Sequence, residues 1–221
     1  MPLCKEKGRS LESGMLSLQR LYKFLELDHD KAGLYGRSFK GRNYGKVVDE
    51  ICRTIVATQG FYLWGRYERN GLWRNIYLGK AGFGRTAHLR ARIKEELKDE
   101  RACIWRAFVS VRTMEVAGER NYPRMWHQYK KHMHRALKKT GAAHIVWVTD
   151  PQLANSQVQN IESDLIETLS PSANMSRPVP PVTLQEHTKT IIGEFRKLIH
   201  AHRLERFLAD RRDFLIPPTL R

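Results

Sequence analysis

The pattern of apolar and polar positions is clearest between residues 60 and 97. GFYLWGRY (60–67) is rich in aromatic residues and predicts a strand. Asn70-Gly71 marks a turn, and NIYLG (75–79) predicts the second strand of a hairpin. A glycine-rich bend, GKAGFG, leads the chain away. The period then changes. Leu89, Ile93 and Leu97 recur at every fourth residue, which predicts a helix over AHLRARIKEEL with one apolar stripe.

The rest of the chain reads in the same way. Residues 1–12 are polar. Leu18, Leu21 and Leu25 predict a short helix near 17–28. Val47, Ile51 and Ile55 predict a helix that feeds the first strand. Residues 104–116 suggest a strand or two, and 121–139 a basic helix begun near Pro123 and stopped at Gly141. HIVWVTD (144–150) is an apolar strand closed by Asp-Pro, and a helix carrying Ile161, Leu165, Ile166 and Leu169 follows. A stiff proline spacer (177–183) precedes a tail with Ile192, Phe195, Ile199 and Phe207 at near-helical spacing, which should pack on the domain or on a second copy. The expected fold is an α/β (α+β) domain, a small mixed or antiparallel sheet flanked by helices. Its core would span 58–176, with a basic helical insertion near 118–141. A helical, basic extension (1–57) would precede it, and the spacer with the C-terminal helix (177–221) would follow.

Charge narrows the class of partner. The chain has 221 residues, with 39 Lys and Arg against 23 Asp and Glu, a net charge of +16. At 41% hydrophobic residues it still has the makings of a core. Such an excess suits a polyanion, with nucleic acid ahead of membrane. Arg37, Lys40 and Arg42 in the glycine-rich segment 29–45 are candidate phosphate contacts, although an exposed basic linker reads equally well. Arg90, Lys94, Lys130 and Lys131 are further nucleic-acid candidates on the two basic helices. Cys4, Cys52 and Cys103 are too far apart for a zinc pattern and suit a reducing compartment. His132 and His134 point about 200° apart on a helix and cannot share a metal from one face. No apolar run reaches membrane-spanning length and the N-terminus has no apolar signal core, so a cytoplasmic location is expected.

One carboxylate stands out on pattern alone. Ile161, Leu165, Ile166 and Leu169 span an arc of about 140° on a helix, and Glu162 falls inside it. Ser163, Asp164 and Glu167 fall outside, on the expected wet side. A carboxylate on an apolar face is costly unless a cation meets it, either a metal ion or an interior Lys or Arg.

Three ordered segments carry a family resemblance. GFY (60–62), YLG (77–79) with LRARI (89–93), and ESDLIETLSPSAN (162–174) together resemble the GIY-YIG nucleases over about residues 58 to 176. The resemblance implies metal-dependent hydrolysis of a phosphodiester, with Mg²⁺ (or Mn²⁺) held by Glu162. It implies Arg92 as the catalytic arginine, Tyr62 and Tyr77 as the residues that orient the water, and Asn174 as a brace. Either tyrosine could be the base; Tyr62 is favoured, with Lys80 as the cation that would lower its phenol. The lone domain with basic extensions looks more like a type II restriction endonuclease than the excision-repair enzyme. A homing or phage nuclease, a homodimer, and a non-catalytic DNA-binding module on the same scaffold stay open.

The chain departs from the family pattern in places. Fourteen residues lie between Tyr62 and Tyr77, which lengthens the hairpin. The bend after YLG is also long. Many members have His or Tyr one turn after the arginine, where this chain has Glu96. His88, one turn before Arg92, is a candidate substitute.

Overall fold

The computed structural model describes residues 11–23, 42–84, 87–97, 141–174 and 185–215. The expected hairpin forms as β2 (Gly60–Tyr67) and β3 (Trp73–Ala81). Asn70 and Gly71 make its turn, with Gly71 at φ 75°. The strand expected at 144–150 is β4 (His144–Thr149), and every residue in it is buried. It occupies an inner position of a fully antiparallel sheet with the order β1-β4-β2-β3. An inner strand with both faces covered needs apolar side chains at successive positions, which is why HIVWVT does not alternate.

The other edge is β1 (Ser13–Ser17), paired to β4 from Ser13↔Val148 to Ser17↔His144. The sequence reading assigned no element to residues 13–16 and started a helix near residue 17. The helical turn starts only at residue 19. SGMLS has no β-branched or aromatic residue, so its strand conformation comes from pairing with β4 and not from local preference.

Each face of the sheet has its own core. On one, Tyr62, Trp64, Ile145 and Trp147 pack with Leu89, Ile93 and Leu97 of α2 (Leu89–Leu97) and with Val48 of α1 (Arg42–Ile51). On the other, Phe61, Leu63, Leu78, Val146 and Val148 pack against α3 (Asn155–Leu169) and α4 (Glu186–Leu215). A bulge between Trp64 and Gly65 leaves Ile76 as an extra residue in β3, and both Ile76 and Tyr77 address the α2 face.

The expected division into a core and two extensions does not follow the packing. β1 belongs to the sheet, Leu16 and Val48 belong to one core, and Ile191, Ile192 and Phe195 of α4 belong to the other. The first turn of α4 is tied down by two buried acids. His187 Nδ1 lies 2.9 Å from Asp150 Oδ2, and Thr188 Oγ1 donates to Asp164 Oδ2 at 3.1 Å. Asp164 was expected on the wet side of its helix. It is buried because α4 covers that flank. Phe207 was expected on the same seam as Ile192, Phe195 and Ile199, but it is exposed. A 30-residue helix runs about 45 Å, and residues 203–209 of α4 are all exposed.

Several expectations lie outside the described residues: the strands at 104–116, the basic helix at 121–139 with Lys130, Lys131, His132 and His134, Arg37 and Lys40, and the proline spacer. Arg42 is the first residue of α1, in a segment expected to be loop. None of the described helices is long and apolar enough to cross a membrane.

Candidate active site

The two short glycine motifs owe their glycines to close packing. A Cβ on Gly79 would sit 2.3 Å from both Cζ and Oη of Tyr62, so Tyr62 lies directly across its cross-strand partner. A Cβ on Gly60 would meet the Val148 carbonyl oxygen at 2.3 Å and Leu89 Cδ1 at 2.7 Å, which is how the start of α2 comes down onto the sheet. Tyr62 and Tyr77 share the α2 face, with ring centroids 6.4 Å apart.

The apolar stripe of α2 faces the core, which leaves it two polar flanks. Arg90 and Lys94 lie on the first. The Arg90 Nε donates to the Ile55 carbonyl, and Lys94 Nζ is 2.9 Å from Asp49 Oδ1 on α1. Both were expected on nucleic acid; the structure engages them in tying α2 to the preceding segment. Arg92 and Glu96 lie on the second flank, toward the hairpin. Tyr62 donates its hydroxyl to Glu96 Oε1 at 2.6 Å, and Arg92 Nε is 3.2 Å from the same oxygen. Glu95 Oε2 lies 3.9 Å from Arg92 Nη1. His88 Nδ1 accepts the Ala91 N–H at 3.2 Å, so its ring is engaged at the start of α2.

Burial sets the proton chemistry of this group. Glu96 is fully buried, and desolvation lifts its carboxyl to about 7 although the Tyr62 hydrogen bond and the Arg92 charge both favour ionisation. Its Oε2 has no hydrogen-bond partner among the described residues. The Tyr62 phenol is pushed well above its ordinary value, first by burial and then by the Glu96 charge. This corrects the expectation of Tyr62 as a base activated by Lys80. At neutral pH Tyr62 is a proton donor, and Lys80 points away from it.

Lys80 follows Gly79 on β3 and pairs across the strand with Phe61, on the opposite face. Its Nζ lies 2.6 Å from Glu162 Oε2 and donates to Gln159 Oε1 at 3.0 Å, both on α3. Glu162 therefore meets a cation, as its place in the apolar arc required, and that cation is a lysine. Asn174 borders the same strand. Its Oδ1 accepts the Leu78 N–H at 2.8 Å and its Nδ2 donates to the Leu78 carbonyl at 3.0 Å, so its side chain bonds the open edge of β3 as a further strand would.

Six of the sequence-derived residues thus collect around one short stretch, Tyr77 to Lys80, of an edge strand. Tyr62, Tyr77 and Arg92 lie on one side of it, Lys80 and Glu162 on the other, and Asn174 along its rim. Glu96 was first noticed only as a departure from a pattern. The signal was its position, four residues after Arg92 on the same helical flank. A scan against protein-family models and searches of curated proteins and of solved structures each give no significant match to this chain.

Proposed function

We propose that the chain is a metal-dependent endonuclease that hydrolyses DNA phosphodiesters, of the GIY-YIG type and in the manner of a cytoplasmic type II restriction enzyme. The observation that carries the reading is the gathering of Tyr62, Tyr77, Arg92, Lys80, Glu162 and Asn174, far apart in sequence, about four residues of β3. The net charge of +16 supports a polyanionic substrate.

Arg92 supplies the fork that meets charge building on a non-bridging phosphate oxygen. Glu96 and Glu95 orient its guanidinium. Tyr62 is a positioning residue, since it is fully buried and anchors Glu96. Tyr77, half-buried on the same face, would orient the attacking water.

Glu162 fits a magnesium ion in donor type. It is a single carboxylate with partial access to water, already facing positive charge from Lys80. Groups of three or more acidic, His or Cys ligands are absent among the described residues, but Mg²⁺ commonly keeps several waters and takes only one or two carboxylates. The pair is partly open to water, so exchanging Lys80 for a divalent ion costs less than breaking a fully buried pair. When bound, the metal would offset charge on the phosphate and the departing oxygen.

A second reading rests on the same ion pairs. Arg92 and Glu162 are each compensated internally, as in a nucleic-acid-binding module that does not cut. Incubation with plasmid DNA separates the two. Cleavage with Mg²⁺ that stops on adding a chelator supports the nuclease; retention of DNA without cleavage at any Mg²⁺ or Mn²⁺ concentration supports the module.

A further inference from the structure

The tip of the β2–β3 hairpin and the overhanging half of α4 enclose a second charged site. Tyr67, the last residue of β2, donates its hydroxyl to the Ile199 carbonyl at 2.8 Å and so fixes α4 to the hairpin. Its ring stacks on His202 at 5.6 Å, and the Arg206 guanidinium lies over it, 5.0 Å from the centroid. Beyond this stack is a cavity of about 370 Å³ lined by Tyr67, Arg69, Gly71, Arg203, Arg206 and Phe207. Arg203 reaches toward the turn, and a Cβ on Gly71 would lie 3.7 Å from its Nη2.

The charge here is unbalanced. Glu68 also lines the cavity, but its Oε1 already faces Arg66 at 3.2 Å and Arg74 at 3.6 Å. Glu205 lies close enough to His202 to act on its titration. Arg69, Arg203 and Arg206 have no ion-pair partner among the described residues. The cavity lining thus carries three arginines against one glutamate, and that glutamate is already paired. The two histidines behind the stack are both shifted toward the neutral form. Burial holds His144 down at about 4 and also lowers His202, with nearby Arg206 acting in the same direction.

We infer that this cavity binds a backbone phosphate of nucleic acid, remote from the site of cleavage. The inference rests on the nucleic-acid part of the reading above. The site is five residues along β2 from Tyr62, about 17 Å, which a duplex covers in about five base pairs. Arginine forks match phosphate oxygens in pairs, and an arginine held over a tyrosine ring is already ordered for the purpose. A concave pocket lined by arginines suits a phosphate of a polymer backbone better than a flat lipid surface. The neighbouring exposed Leu204, Phe207 and Leu208 make membrane binding the alternative to be tested.

The experiment compares the full chain with R69A/R203A/R206A. All three arginines are exposed, so their removal should leave the core intact; the pair R69A/R203A serves if the triple variant does not fold. Binding of a labelled DNA duplex is followed by anisotropy in a chelator, over a series of salt concentrations. Each lost phosphate contact should reduce the slope of log K against log salt by about 0.9, so the triple variant should lose up to about 2.7 and bind about tenfold or more weakly at low salt. An unchanged slope and affinity, with wild-type protein that binds and cuts DNA, overturns this inference alone. Slope lost in the variant, with wild-type protein that never cuts, supports this site and overturns the nuclease. Retention on anionic vesicles that depends on the three arginines, with no change in DNA binding, also overturns it.

Discussion

Glu96→Gln isolates the cost of the buried charge. The wild-type carboxyl lies at about 7 against an ordinary 4.5. Burial is the main cause; the Tyr62 hydrogen bond and Arg92 charge oppose it, and the Glu95 charge adds to it. A group that binds its proton more tightly when folded contributes stability that is complete below its unfolded value and lost as pH rises through its folded one. Here that window runs from 4.5 to about 7. At roughly 1.4 kcal/mol per pH unit, the loss is about 3 kcal/mol. Glutamine stands in for the protonated acid, since it keeps an oxygen for the Tyr62 hydroxyl and carries no charge. The attraction of Arg92 is already contained in the value of about 7. Glu96→Gln should therefore be more stable than wild type by up to about 3 kcal/mol at pH 8, and within about 1 kcal/mol of it at pH 5.

Urea unfolding at the two pH values measures this directly. A variant less stable than wild type at pH 8 would refute the reasoning, because it would mean that Arg92 holds Glu96 ionised at a net gain. Activity should move in the opposite direction. The ionised carboxylate orients Arg92, so single-turnover cleavage by the wild type should rise with pH through about 7, while Glu96→Gln stays slow and flat over that range. A stabilising substitution that removes activity would mark Glu96 as retained for function at the expense of the fold.

Glu162→Ala should abolish Mg²⁺-dependent cleavage and leave DNA affinity in a chelator largely intact; cleavage by the folded variant would remove Glu162 from the site. Arg92→Ala should cost at least about 3 kcal/mol of transition-state stabilisation in single-turnover rates at saturating enzyme, and Arg92→Lys should also be poor because a point charge does not reproduce the fork. Arg90→Ala should instead lower stability by about 1 kcal/mol through the lost bond to Ile55, with a smaller effect on rate; a dead Arg90→Ala beside an active Arg92→Ala would place the active flank of α2 on the other side. Gly79→Ala forces its new methyl into the Tyr62 ring and should destabilise by about 1–3 kcal/mol in thermal or urea unfolding; a neutral result would mean that Tyr62 does not lie across Gly79.

What could be read from sequence depended on how local its cause was. The hairpin, α2 and β4 were legible because turn chemistry and apolar period act within a few residues. β1 was not, because five residues without strand preference take their conformation from a distant partner strand, as in Met15↔Val146, 131 positions apart. The same limit hid Asp164. A single apolar arc on α3 describes one packing partner, and the helix has two, the sheet and α4. At the site, the flank of Arg92 followed from helix geometry, and the need of Glu162 for a cation followed from its place in the arc. Which cation met it, and which face of β3 each side chain takes, required the strand register. The arginine cavity had no sequence signal, since it joins a turn to a helix more than 130 residues later.

The two ion pairs around Gly79 and Lys80 differ in environment, and the difference suits different tasks. Arg92 and Glu96 meet with Glu96 fully buried, where ionising the carboxyl is costly, so the pair is complete only above about pH 7. Above that pH the carboxylate draws the guanidinium toward the hairpin flank of α2. Lys80 and Glu162 meet at 30% and 19% exposure, where water reaches the pair and screens it more than it does Glu96. That leaves the carboxylate open to exchange. A phosphodiester site needs a fixed cation for the phosphate and an exchangeable one for the metal's place. On the proposed reading, the α2 side of this edge strand would supply the cation for the phosphate and its α3 side the carboxylate for the metal, from neighbouring positions of the same backbone.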